Sequence, residues 1–381
     1  MKVLITGVAG FIGMHVASAL LARGDEVVGV DGLDDPFDVA LTYARLARIQ
    51  THPRFRFSRL DIADRPAVDN CFQAGAFDVV VHLATQQGGA ARDGRVPVRV
   101  HLSGFVNVLE GCRQHGVPHL VYASCSDVHG ERRRGTPAEV ARDEARQDTR
   151  QDKRAGETLA RAYSRLHGVA TTGLRFFTVY GPWGRPDIGY HELTRGLLTG
   201  EPLPVYPREG EIGHGLTYVD DIVAGIERAL RRPEPRDASL LPGEAPARVL
   251  NIGSHDPVRL LDFIAALEHA LGRPGDLKVM PVAGAEGDEE GTDIPAEDPA
   301  SRAANFLGDR RVTMPLAEGV QRFVHWYLSY HGMDPARSTS VLRRAAVFED
   351  PMAVQWLPAH QPLALQPTPS RKVEKAGLRV L

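Results

Sequence analysis

The run Lys2-Val3-Leu4-Ile5-Thr6-Gly7-Val8-Ala9-Gly10-Phe11-Ile12-Gly13 leaves few folds open to this chain. An apolar stretch of strand length passes into three glycines, and an amphipathic helical run continues to Arg23. Glu26-Val27-Val28-Gly29-Val30-Asp31 is then a second apolar stretch that ends in a carboxylate. This is the order of a βαβ unit that binds a dinucleotide. Each glycine meets a separate demand. Gly7 permits a tight turn out of the strand, Gly10 lets the backbone approach a pyrophosphate, and Gly13 lets the helix pack closely on the strand. Phe11 and Ile12 open the helix, whose unpaired N–H groups and positive dipole end face the phosphates. Asp31, about 20 residues on, falls where a carboxylate accepts from the ribose hydroxyls. No Arg follows it immediately to receive a 2′-phosphate, so NAD is expected rather than NADP.

The pattern then repeats. Leu41, Ala44 and Leu46 mark a helix, and Phe55-Arg56-Phe57 leads to Leu60-Asp61-Ile62-Ala63-Asp64, expected as a third strand with Asp61 and Ile62 at the adenine edge. Phe77 to Ala84 is almost wholly apolar, as in a parallel strand covered on both faces, and brings Leu83 and Ala84 to the cofactor. Val98 to Arg113 has helical spacing, His119 to Ser124 is another buried strand, and Arg150 to His167 is again helical. Arg132 to Arg150 is expected as a solvated connection. Strands alternating with helices at these intervals predict an α/β fold: a Rossmann-type doubly wound parallel sheet with a smaller C-terminal substrate lobe. The expected boundaries are 1–178 for the NAD-binding domain, with a return at about 216–256. The lobe takes 179–215 and 257–333, and a C-terminal extension takes 334–381.

In such a sheet the reacting centre lies beyond the carboxyl ends of the strands. Cys125, Ser126, Asp127 and His129 gather there after the fifth strand, and Thr149 and Lys153 share one face at a helix start. The charge balance is −3 over 381 residues, which gives no electrostatic reason to expect nucleic acid or an acidic membrane as partner. Cys71, Cys112 and Cys125 are odd in number and lack metal-ligand spacing, so neither a disulfide frame nor a metal site is expected. The N-terminus enters a strand at once, and no apolar run is long enough to span a bilayer. A cytoplasmic protein is therefore expected.

With these residues in view, Met1 to Gly332 resembles the extended short-chain dehydrogenase/reductase family, and within it the UDP-glucuronate 4-epimerase branch. The likeness is carried by Met1 to Gly13, Val27 to Asp31, Tyr43-Ala44-Arg45-Leu46, Asn107 to Cys112, Thr171 to Asp187 and Thr217 to Ile222. Most sugar-nucleotide epimerases carry Asn at the position of Thr178. Thr178 with Arg185 resembles the arrangement by which the glucuronate branch receives a C6 carboxylate. The resemblance implies a bound NAD that takes a hydride from C4 of the sugar, a Tyr that takes the hydroxyl proton, and a Lys four residues later. It also implies a Ser or Thr at the end of the fifth strand, a sugar-nucleotide substrate, and a homodimer formed through the helices at Val98 to Arg113 and Arg150 to His167.

The cofactor half of that pattern is present, and the catalytic half is altered. Lys153 matches the Lys, but the Tyr position is Thr149. The Ser/Thr position falls on Cys125 beside Ser126. His101 stands for an Asn, His129 for a Tyr, and His214 for the Arg that holds the nucleotide diphosphate. A phenol ionises at about 10 and can be tuned towards neutrality, whereas an aliphatic hydroxyl titrates far above any useful range. Another group must then move the proton. Cys125, His129, His101 and Asp127 are the candidates, with packing roles open for the cysteine and the histidines.

Three readings follow. One is an NAD-dependent epimerase acting on an acidic sugar nucleotide through a 4-keto intermediate, with an atypical proton relay. The second is a decarboxylase or dehydratase variant, for which Asp127 stands where relatives carry Glu. The third is a catalytically silent NAD-binding homologue.

Overall fold

A computed structural model describes residues 1–34, 38–85, 98–125, 137–205, 213–231, 246–253, 258–279 and 314–333. The chain runs β1 (Lys2–Thr6), α1 (Phe11–Arg23), β2 (Glu26–Asp31), α2 (Val39–Ala47), β3 (Phe55–Arg59), α3 (Arg65–Gly75), β4 (Val79–His82), α4 (Val98–Gln114), β5 (His119–Cys125), α5 (Pro137–His167) and β6 (Ala170–Phe176). It continues through β7 (Thr178–Tyr180), α6 (Gly189–Thr199), β8 (Leu203–Val205), β9 (Gly213–His214), β10 (Leu216–Tyr218), α7 (Val219–Arg231), β11 (Ala247–Ile252), β12 (Val258–Arg259), α8 (Leu260–Leu271), β13 (Leu277–Val279) and α9 (Leu316–Tyr330).

Seven strands form one parallel sheet in the order β11-β6-β5-β4-β1-β2-β3. The order reverses between β1 and β4, with Val3 opposite Val27 on one side and Val79 on the other. All seven carboxyl ends therefore share one edge, and the reversal point opens the crevice where such sheets take ligands.

Side-chain alternation along β1 explains the layering. Val3 and Ile5 join the cluster under α1 and α7, which continues through Tyr190, Phe263 and Phe323 into α6, α8 and α9. Leu4 faces the other way, into a cluster with Phe72, Phe105, Leu109 and Ala160 under α3, α4 and α5. The four residues of β4 are buried throughout, as covering on both faces requires. Short strand pairs join β7 to β10, β9 to β12 and β8 to β13.

Two boundaries differ from expectation. β3 stops at Arg59. Asp61 and Asp64 follow it in a turn, and Asp64 caps α3 by accepting from Ala67 N at 3.1 Å. α5 begins at Pro137, so most of the stretch expected as a solvated connection is helix. Its Ala, Glu, Arg and Gln residues favour a helix by propensity, and the lack of an apolar stripe hid it. Beyond β6, Thr178 to Tyr180 forms a separate strand paired with Leu216 to Tyr218.

Candidate active site

The glycine turn carries its own reasons for glycine. Gly7 has φ +73° and its N–H donates to Val30 O at 2.9 Å. A Cβ there would lie 2.7 Å from Ala84 N, and one on Gly13 would lie 2.0 Å from Gly7 O. Gly10 is different, because a Cβ there would meet only Gly7 O, at 3.1 Å. That contact is tight but much milder than those at Gly7 and Gly13, and a pyrophosphate lying against the turn would add to the demand for glycine there.

The helix caps point the same way. Asp38 caps α2 by accepting from Leu41 N at 2.8 Å, but α1 has Gly10 at its cap and no side-chain bond to its first N–H groups. Those donors are left for an anion. The Asp31 carboxylate accepts from Ala9 N at 3.0 Å and Leu33 N at 2.9 Å, which sets it against the turn. Thr6 Oγ1 accepts from Ala84 N at 3.2 Å and pairs with His82 Nδ1 at 2.8 Å, so Leu83 and Ala84 are pinned beside Gly7. Phe11 is buried and Ile12 packs against the same cluster. Asp61 is exposed and accepts from Ala63 N at 2.9 Å, whereas Ile62 packs inward. Asn107 Nδ2 donates to Ile62 O at 2.9 Å and holds that turn, a role its place in the sequence motif did not reveal. The set fits a dinucleotide.

At β5 the arrangement is electrostatic. Lys153 is 9% exposed and its Nζ donates to Ala123 O at 3.2 Å. Burial pushes the ammonium down to about 8, against the pull of the charges at Cys125 and Asp152. Cys125, half-buried, is the last residue of β5 and stands opposite Phe176, while Ser124 stands opposite Arg175. Glu157 lies one helical turn beyond Lys153 and accepts from Ser124 Oγ at 2.7 Å, Arg175 Nε at 2.8 Å and Arg175 Nη2 at 2.7 Å. The pair with Glu157 holds Arg175 firmly charged, with Cys125 adding to the effect. Two cations therefore act on Cys125, one from α5 and one from β6. Arg175 and Glu157 were not anticipated; the signal was an Arg inside an otherwise apolar strand and a Glu four residues after Lys153.

Thr178 is exposed on β7 while Val179 and Tyr180 are buried behind it. Arg185 follows the turn at Trp183 and Gly184, and its Nε donates to Asp187 Oδ1 at 2.9 Å and its Nη2 to Asp187 Oδ2. That bidentate pair fixes one edge of the guanidinium.

Ser126, Asp127 and His129 lie outside the described residues. His101, Thr149 and His214 fall on α4, α5 and β9, but their side chains lie outside the description. Among the described residues, no group of three or more His, Cys, Asp or Glu is placed to hold a metal, and no helix is long and apolar enough to cross a membrane.

Residues 3–253 match the model of the NAD dependent epimerase/dehydratase family. The chain is 35% identical over 338 residues to "Probable UDP-glucuronate 4-epimerase" of Rhizobium meliloti (strain 1021), covering 86% of this chain and 97% of that protein. It is 36% identical over 338 residues to UDP-glucuronate 4-epimerase 3 of Arabidopsis thaliana, covering 87% of this chain and 77% of that one. Among solved structures, UDP-glucuronic acid 4-epimerase from Bacillus cereus, in complex with UDP-glucuronic acid and NAD, superposes with a TM-score of 0.66 at 26% identity. The match covers 86% of this chain and 98% of that one.

Proposed function

This chain belongs to the NAD dependent epimerase/dehydratase family, and from that premise we propose that it inverts C4 of an acidic UDP-sugar, with UDP-glucuronate as the substrate. The family is NAD-dependent, and NAD is the cofactor. Gly7, Gly10 and Gly13 with the first N–H groups of α1 would hold its pyrophosphate, Asp31 its adenosine ribose, and Lys153 the ribose beside the nicotinamide. When bound, it supplies a reversible hydride acceptor at the carboxyl edge of the sheet, through which a C4 carbinol becomes a ketone open to return from either face.

The chain's own residues then handle the proton and the substrate's charge. An ammonium and a guanidinium beside a thiol favour its thiolate. The Cys125 sulfur takes the C4 hydroxyl proton as the ketone forms and gives it back when the carbinol is restored, so no net proton is consumed. This is the atypical relay in place of the Tyr that Thr149 replaces. Thr178 and Arg185 receive the C6 carboxylate, the guanidinium by charge-assisted hydrogen bonds. The observation that carries the reading is the buried Lys153 beside Cys125, two residues beyond the carbonyl its Nζ contacts. The relatives named UDP-glucuronate 4-epimerase support the choice of sugar.

Incubating the NAD-loaded protein with UDP-glucuronate is expected to give UDP-galacturonate, detected by proton NMR. Because Lys153 loses its proton at about 8, its charge supports the Cys125 thiolate below that pH and is withdrawn above it. Turnover is therefore expected to fall as pH rises through about 8. Release of CO2 instead of the epimer would turn the reading to decarboxylation, and absence of any product from uronates would refute it.

A further inference from the structure

α2 turns its apolar side towards the body of the protein, with Leu41 and Leu46 buried, and Arg45 lies on that side one turn after Leu41. The Arg45 side chain is 0% exposed, the largest among the fully buried ones. A guanidinium removed from water persists only where polar partners replace its hydration. Two of those partners are main-chain carbonyls of a single loop: Nε donates to Trp183 O and Nη2 to Gly184 O, each at 2.9 Å.

That loop bends sharply where it is gripped. Trp183 has φ +65°, a left-handed conformation that a bulky residue keeps only where its surroundings hold it. Arg48, three residues after Arg45, lies 5.0 Å over the Trp183 ring, and the ring packs on Trp326 and Tyr330 with centroids 5.6 and 5.9 Å away. α2 and its C-cap residue thus take the loop by both main chain and side chain. The residue that follows the gripped pair is Arg185, already aligned on its other side by Asp187.

We propose that Arg45 is a positioning residue for substrate selection: by holding Trp183 and Gly184 in their bend, it fixes where Arg185 presents its guanidinium to the acidic group of the sugar. This rests on Arg185 receiving that group, as argued above. Arg45 does not touch the substrate; it acts through the loop. The helix it acts from follows the strand that ends at Asp31, so one short segment of chain joins the cofactor rim to the acid-recognition loop.

The test is the ratio of dissociation constants for UDP-glucose and UDP-glucuronate, measured by calorimetry on the NAD-loaded full chain as wild type, Arg45→Met and Arg45→Lys. Wild type is expected to favour the acidic sugar by about tenfold or more, and Arg45→Met to lose most of that ratio while binding UDP-glucose within about threefold of wild type. Arg45→Lys keeps the charge but lacks the planar fork that spans two carbonyls, so its ratio is expected to fall between. A residue that served only packing would lower the melting temperature and leave the ratio alone. An Arg45→Met protein that keeps the wild-type ratio overturns the proposal, and if that variant is not recovered folded, an unchanged ratio in Arg45→Lys does so. A wild type that does not prefer the acidic sugar overturns the reading of Arg185 and this proposal with it, and so separates the two failures.

Discussion

Cys125→Ala is expected to lower the turnover of UDP-glucuronate by about 10²–10⁴-fold, the range that general acid–base catalysis supplies, with NAD affinity unchanged. The physical basis is the placement of the sulfur at the end of β5, where Lys153 and Arg175 both act on its charge. Alanine would remove the group proposed to carry the proton and leave the glycine turn and the Lys153 contact with Ala123 O intact. Serine should rescue little, because its hydroxyl differs from the thiol by one atom but does not ionise near neutrality. Turnover by steady-state assay and NAD affinity by fluorescence titration, taken on the same preparations, separate loss of chemistry from loss of cofactor. A Cys125→Ala enzyme with wild-type turnover would move the proton to another group.

Gly13→Ala is expected to weaken NAD binding by about a hundredfold or more and to lower stability by about 1–3 kcal/mol, the usual cost of overpacking a tight contact. The added methyl would sit 2.0 Å from Gly7 O, a main-chain atom that cannot swing aside without opening the turn. Gly10→Ala makes the sharper comparison. Its methyl meets the chain only at Gly7 O, 3.1 Å away, a contact relieved by a shift of a few tenths of an ångström, so this variant should lose much less stability than Gly13→Ala and still lose the cofactor. Thermal melts with and without NAD read both effects, since a ligand that binds only the folded state stabilises it by an amount that grows with the logarithm of its concentration over its dissociation constant. A Gly10→Ala protein stabilised by NAD as fully as wild type would remove the pyrophosphate from that turn.

The parallel sheet was legible because two signals agreed. Apolar runs of strand length recur between helical spacings, and the glycines fix the register of the first unit. The strand order follows from the βαβ rule, and the sheet obeys it from β3 through β1 to β6. Where the sequence misled, local chemistry overrode pattern. Asp64 reads as a strand end but serves as a helix cap, since a short carboxylate side chain bonds the N–H groups of the next turn. The early part of α5 has no apolar stripe, so propensity alone formed a helix that periodicity could not announce.

The candidate site divides the same way. The turn at Gly7 and its contact with Asp31 could be read from spacing, because that motif is local. Arg45, Glu157 and Arg175 could not, because their partners lie 138, 33 and 18 residues or more away along the chain or on another element, and a charged residue in a sequence carries no sign that it will be buried. Arg45 even occupies the apolar side of its helix, where the pattern predicts a hydrophobic residue.

The central claim is that this sheet edge carries out reversible oxidation of an acidic UDP-sugar without a tyrosine at the position of Thr149. The absorbance of the bound nicotinamide, followed after wild-type protein loaded with NAD is mixed with UDP-glucuronate, tests it most directly. The account predicts that the band of the reduced form rises and then decays to a steady level as the C4 epimer accumulates. Binding of UDP-glucuronate with neither a reduced band nor an epimer would contradict it.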